Sequence, residues 1–213
     1  MGRGGAQALL VAAGLLPAAV LAIRFFFGDG LGAEPIEVVT HTTGDWTLRL
    51  LLSTLAVTPA RLIFGWRWVA PYRRTLGLLA FAYASLHFTT WLALEHFFDW
   101  QAILEDVAER RYVTVGFAAF VSMIPLAATS TRRAVRRLGR RWLSLHRLVY
   151  FAAIAGVVHY GWLVKADLRG PAIHAAILAC LLGWRVLEAR RRARSSPSSS
   201  RVSPSPRAAD ASP

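Results

Sequence analysis

Six apolar stretches, separated by charged connections, set the pattern of the chain: Gln7–Phe27, Trp46–Gly65, Thr75–Leu94, Tyr112–Ala128, Leu148–Val164 and Pro171–Leu187. Each is close to the ~17–25 residues that a helix needs to cross a hydrocarbon core about 30 Å thick. A backbone group in lipid has no water to bond, so each stretch is expected to be helical. Pro17, Pro59 and Pro125 lie inside or near the ends of these stretches and predict kinks or local unwinding. The first stretch follows Arg3, as a signal peptide's would. Its apolar run is long for that role and no clear small-residue cleavage site follows, so a retained helix is expected. The fold class is therefore all-α, a polytopic bundle of six transmembrane helices over residues 1–190. A basic, Ser/Pro-rich tail (191–213) follows and is expected to be disordered from Ser195 onward.

The polar connections orient the bundle. The first, Gly28 to Asp45, carries Asp29, Glu34, Glu37 and Asp45 and no Lys or Arg. The second carries Arg61, Arg67, Arg73 and Arg74 and no acid. The third is mostly acidic (Glu95, Asp99, Glu105, Asp106, Glu109) and closes on Arg110 and Arg111, whereas the fourth holds seven arginines between Arg132 and Arg147. The fifth is short and mixed (Lys165, Asp167, Arg169), and the tail is arginine-rich from Arg185 to Arg194. Basic connections stay on the cytoplasmic side. Both termini are therefore expected in the cytoplasm of a bacterial inner-membrane protein. Arg190, Arg191, Arg192 and Arg194 read as a solvated anchor, with contact to anionic lipid as the alternative.

Composition agrees. The hydrophobic fraction is 55% and the charged fraction 17%, against about 25% charged residues in soluble domains. A net charge of +13 could suggest nucleic acid, but the arginines sit between the apolar runs, which argues against it. The single cysteine, Cys180, excludes an internal disulfide and a CxxCH haem attachment. No GxGxxG, P-loop or CxxC is present. Any electrons that pass through this chain are supplied and received by other molecules.

The informative residues are histidines inside the spans, because an ionisable group in lipid is by default a functional candidate. His87 lies 12 residues after Thr75, about 18 Å along a helix from that end. His159 lies 13 residues after His146, about 20 Å by the same rise. Both helices run in the same direction, so the two imidazoles can meet at one depth, as bis-imidazole ligation of an iron porphyrin requires. Gly77, Ala80, Ala84 and His87 share one helix face, as do Ala152, Ala155, Gly156 and His159. Such small faces leave room for a macrocycle, or let bare helices pack closely. With a histidine on each, ligation is the preferred reading.

His146 has two readings: ligand to a second haem on the basic side, or an interfacial histidine bonded to backbone or headgroups. On a straight helix it would point about 140° from His159. Its partner would fall near Arg73 and Arg74. His41, His96 and His174 lie near the opposite interface and are expected to be hydrogen-bonded boundary residues, a quinone or flavin site near His41 or His174 being the alternative. Arg24 and Arg49 can snorkel outward or pair with haem propionates or a partner's acids.

An ordered set of short motifs carries a family resemblance over residues 5–190. It comprises Gly32-Ala-Glu-Pro35, His41-Thr-Thr-Gly44, Thr58-Pro59, Arg73-Arg74-Thr-Leu-Gly77, Ser85-Leu-His87, Thr129-Ser-Thr131, Trp142-Leu-Ser-Leu-His146, Val149-Tyr150 and His159-Tyr160-Gly-Trp162. The set resembles the MsrQ (YedZ) family, the haem-binding membrane subunits of a periplasmic protein-methionine-sulfoxide reductase system, within the ferric-reductase-like transmembrane superfamily. The resemblance implies haem b, with His87, His146 and His159 matching the family's haem histidines. It also implies FMN, electrons drawn from the quinone pool, and a periplasmic molybdenum-containing catalytic subunit that reduces methionine sulfoxide. The chain would then be the electron-transfer subunit, with sulfoxide reduction on its partner. The superfamily usually has two histidines on each ligand helix, and Arg73 and Arg74 stand where the second would fall. Alternative readings are a stand-alone ferric-reductase-like cytochrome b, and a non-haem transporter that uses the buried histidines.

Overall fold

The computed structural model describes residues 2–28, 30–164 and 167–195. Among these the regular structure is entirely helical. The helices are α1 (Arg3–Phe27), α2 (Pro35–Ile63), α3 (Arg73–Thr90), α4 (Trp100–Glu109), α5 (Arg111–Ala128), α6 (Arg132–Leu138), α7 (Arg140–Leu145), α8 (Leu148–Leu163) and α9 (Arg169–Ser195). A 3₁₀ turn (Arg67–Tyr72) leads into α3 and a π-helical segment (Trp91–Glu95) ends it.

Five of these stretches are long and apolar enough to cross a membrane: Gly4–Phe27, Arg67–Glu95, Arg111–Ala128, Arg140–Leu163 and Arg169–Arg194. The protein is a multi-pass membrane protein. The remaining expected span lies in α2, which has the length, at 29 residues, but falls short in apolarity. Its position explains why. Leu48, Leu51, Leu52 and Leu55 are at most 5% exposed, so α2 is shielded by neighbouring helices and need not offer lipid a uniformly apolar surface. Its threonines satisfy themselves along their own helix: Thr43 Oγ1 donates to the Val39 carbonyl (2.8 Å), Thr47 to Thr43 (2.9 Å) and Thr54 to Leu50 (2.9 Å). The helix also starts at Pro35, well before Trp46, because Pro35 suits a first helical position and the polar run after it is still helical.

The core lies where α2 packs along α3 and α5 along α8. Ala80, Ala152 and Ala153 are at most 1% exposed there, so small residues set the helix spacing. Connections expected as plain loops contain short helices. Asp99 caps α4 by accepting from the Gln101 and Ala102 N–H groups, and Thr131 caps α6 through Ala134 N–H. α9 runs to Ser195, so residues 191–195 extend that helix instead of opening the tail. The rest of the expected disordered tail lies outside the described residues.

Helix α1 is held by a polar insertion at its proline. The Tyr83 hydroxyl donates to the Gly14 carbonyl (2.7 Å) and accepts from the Ala18 N–H (3.1 Å), bridging two groups one helical turn apart that flank Pro17. Pro17 weakens the ladder there. A side chain on Gly14 would lie 2.6 Å from Leu79, so the glycine permits the close approach. Tyr83→Phe removes both bonds, and a loss of about 1 kcal/mol is expected. A thermal unfolding midpoint equal to wild type in the same detergent would refute it.

Candidate functional site

His87, near the end of α3, and His159, near the end of α8, face each other with ring centroids 6.1 Å apart and planes at 78°. Each ring is fixed by a neighbouring helix. His87 Nδ1 donates to the Thr40 carbonyl of α2 (2.9 Å), and His159 Nδ1 donates to the Tyr112 carbonyl of α5 (2.7 Å). A carbonyl only accepts, so Nδ1 carries the proton and Nε2 keeps its lone pair. Among the described residues neither Nε2 has a hydrogen-bond partner, and both rings line one cavity.

Four residues after each of those carbonyls stands a glycine. A Cβ on Gly44 would lie 3.2 Å from His87 Cε1, and one on Gly116 would lie 2.5 Å from His159 Nδ1. The same device, a carbonyl at one position and a glycine at the fourth after it, thus seats one ring on α2 and the other on α5. In the sequence Gly116 falls inside an expected span but Gly44 in an expected connection, so the shared device shows only in the fold.

The cavity, about 610 Å³, lies among α2, α3, α5 and α8, within the range of cofactor sites. Phe88, Phe117, Phe120 and Trp91 form an aromatic wall, in which Phe88 and Phe120 stack at 4.8 Å. The rim toward the acidic connections carries Glu34, Glu37, His41, Asp45, Glu95 and Arg110. Of the expected small faces only Ala84 and Gly156 line this space. Ala80 and Ala152 are spent on helix packing, and Gly44 and Gly116 supply the remaining room.

His146 is elsewhere. It lies in the turn between α7 and α8, so the helical phase that relates it to His159 on a straight helix does not apply. Its Nδ1 donates to the Trp142 carbonyl (3.1 Å) and its ring stacks on Trp142 at 3.8 Å. Its Nε2 is buried and, among the described residues, has no hydrogen-bond partner. The structure therefore brings His87 and His159 together and leaves His146 apart.

The other histidines have partners at the acidic end. His96 Nε2 meets Asp106 Oδ2 at 3.0 Å, and His174 Nε2 meets Asp45 Oδ1 at 3.3 Å. His41 lies 3.8 Å from Glu37, one turn before it. Arg49 pairs with Asp45 (2.6 Å), and Arg24 donates to the Gly30 carbonyl. The arginine that reaches the cavity rim is Arg110, which is held by Asp106 (3.0 Å) and the Tyr112 hydroxyl (3.2 Å).

The donor set points to one kind of ligand. Among the described residues no group of three or more His, Cys, Asp or Glu side chains can hold a bare metal ion. Two imidazoles suit an ion that brings its other ligands with it. His87 and His159, with ring centroids 6.1 Å apart, would hold such an ion through their nitrogens.

Comparison with known proteins adds an independent line. The family model described as "Ferric reductase like transmembrane component" matches residues 43–157, a range that includes α2 from Thr43, all of α3 and α5, and most of α8. A Rhodospirillum rubrum protein named "Protein-methionine-sulfoxide reductase heme-binding subunit MsrQ" is 52% identical, covering 91% of this chain and 92% of its own length. Proteins of the same name from Herminiimonas arsenicoxydans and Azospira oryzae are 52% and 53% identical over 84% and 82% of this chain, and 84% and 75% of their own lengths. No solved structure matches significantly.

Proposed function

The chain belongs to the MsrQ family of ferric-reductase-like membrane proteins, and from that premise we propose that it is the haem-carrying electron-transfer subunit of a protein-methionine-sulfoxide reductase system. The observation that carries this reading is the pair of open Nε2 atoms on His87 and His159, each oriented by a carbonyl at Nδ1. Haem b, when bound, would supply a one-electron carrier, and His87 and His159 would hold it. The protein's own residues hold and tune it. Donation from Nδ1 to a carbonyl raises the basicity of Nε2 and locks the ring. The aromatic wall lowers the local dielectric, and Arg110 at the rim offers a cation to a porphyrin carboxylate.

In this reading α2 is the sixth span, and both termini lie in the cytoplasm of a bacterial inner membrane, as the arginine-rich connections favour. Electrons come from the quinone pool, with FMN as a further cofactor, and leave to a periplasmic molybdenum-containing catalytic subunit that repairs oxidised envelope proteins. The sequence resemblance alone supports the donor, the FMN and the metal of the partner. The test is the reduced-minus-oxidised visible spectrum of the purified protein, followed by haem reoxidation on mixing with the partner reductase and a methionine-sulfoxide substrate. A colourless preparation from haem-replete cells overturns the reading.

His146 enters as a candidate ligand through the resemblance and its unpartnered Nε2. His146→Ala is expected to keep the haem held by His87 and His159, and any second haem is expected to disappear. A pyridine haemochrome assay reads both. An unchanged haem-to-protein ratio and spectrum would remove His146 from the ligand set.

A further inference from the structure

At the end of the bundle opposite the acidic rim, α2, α3, α8 and α9 bring together cations without acids. Arg185 of α9 donates through Nη1 to the Tyr150 hydroxyl (2.8 Å) and through Nη2 to the Leu55 carbonyl (2.9 Å), with its guanidinium 5.3 Å from the Tyr150 ring centre. Its Nε is buried and, among the described residues, has no hydrogen-bond partner. Arg73, at the start of α3, lies within electrostatic range of both Arg185 and Arg61. Among the described residues no carboxylate is within ion-pair distance of Arg61, Arg73 or Arg185.

The contrast within the molecule is informative. Arg49 has Asp45, Arg110 has Asp106 and Arg192 has Glu188. The acid of α9 one turn beyond Arg185 is thus already engaged. Arg61 and Arg185 both act on Arg73 as like charges, a repulsion that an anion among them would relieve. The positive-inside pattern accounts for arginines in water, but not for a buried guanidinium nitrogen left open.

We propose that Arg61, Arg73 and Arg185 form a binding site for an anionic phosphate group at the arginine-rich end of the bundle. Phosphate fits because guanidinium forks bind its oxygens bidentately, and several oxygens around one centre let three arginines share it. Depth fits as well. Thr54 packs beside Gly77, at 3.8 Å from where a Cβ would stand, so the Leu55 carbonyl and Arg185 lie about one turn inside Arg73. Basic pockets between membrane helices at this level take phospholipid headgroups. A free phosphate reaching the same arginines from the aqueous side offers the same chemistry.

The test uses the haem-replete, full-length protein in nanodiscs and reads the thermal unfolding midpoint. Wild type is compared in phosphatidylcholine alone, in phosphatidylcholine with phosphatidylglycerol, and in phosphatidylcholine with added inorganic phosphate. A midpoint raised by phosphatidylglycerol, with most of the increase lost in R61Q/R73Q and kept in the α6 control R136Q/R137Q, supports the site and assigns it to a headgroup. The same pattern with inorganic phosphate supports it and assigns it to a free phosphate. No shift with either probe overturns it, as does an equal loss in the control. Loss of haem in R61Q/R73Q without change in either shift gives the arginines to porphyrin carboxylates and also overturns it. If the double variant does not fold, native mass spectrometry of R73Q replaces it: phosphatidylglycerol lost relative to wild type supports the site, and full retention overturns it.

Discussion

His87→Ala and His159→Ala are each expected to yield folded protein without a Soret band. Each removes one of the two imidazoles that face each other across the cavity, with ring centroids 6.1 Å apart. Fold is expected to survive, because the histidines line a cavity and are not wedged into the alanine-packed core. The carbonyls they release, of Thr40 and Tyr112, lie within helices, and that of Thr40 also accepts from Thr43 Oγ1 (3.0 Å). Removing an outer partner of a ligating histidine costs about 10–100-fold in affinity, so loss of the ligand itself must cost more. Haem per protein after gel filtration is the measurement. Wild-type content in both variants would sink the axial assignment, and a transporter that uses the same histidines would then become the better reading.

Gly116→Ala, which touches no ligand atom chemically, is expected to deplete haem by about 10–100-fold in affinity. The added methyl carbon would stand 2.5 Å from His159 Nδ1, closer than real contacts allow. What it meets is a ring anchored to the Tyr112 carbonyl, not the loose end of a flexible chain. The ring must move, and its Nδ1 bond and the aim of Nε2 move with it. Gly44→Ala, where the nearest His87 atom would be 3.2 Å away, is expected to be milder. Haem retention should therefore rank wild type, then Gly44→Ala, then Gly116→Ala. Full retention by Gly116→Ala, with an unchanged spectrum, would show that His159 does not need that position.

Much of this site is legible in sequence because helices in lipid are regular. Counting residues from Thr75 and from His146 is enough to bring two rings to one level, since the rise per residue hardly varies. Helix phase holds only inside a helix, so it does not extend to His146, a residue of the turn before α8. Contacts between helices are harder. The carbonyls of Thr40 and Tyr112 carry no side-chain signature, and Gly44 and Gly116 acquire meaning only once α2 is known to lie on α3 and α5 on α8. Polarity misleads in α2 for a related reason. Hydropathy measures what a helix would show to lipid, and α2 shows much of its surface to protein. The left-handed backbone at Phe97 and Phe98, after the π-helical segment, has no glycine to announce it.

The Tyr83 bridge also carries a chronology. Helix α1 leaves the ribosome before α2 and α3, yet the hydroxyl that spans Gly14 and Ala18 belongs to a residue synthesised two helices later. Until then α1 has only α2 to rest on, and its proline-weakened turn stays unbridged. Its full anchoring therefore waits for α3, and a nascent chain stalled before Tyr83 should hold α1 less firmly than the complete protein does.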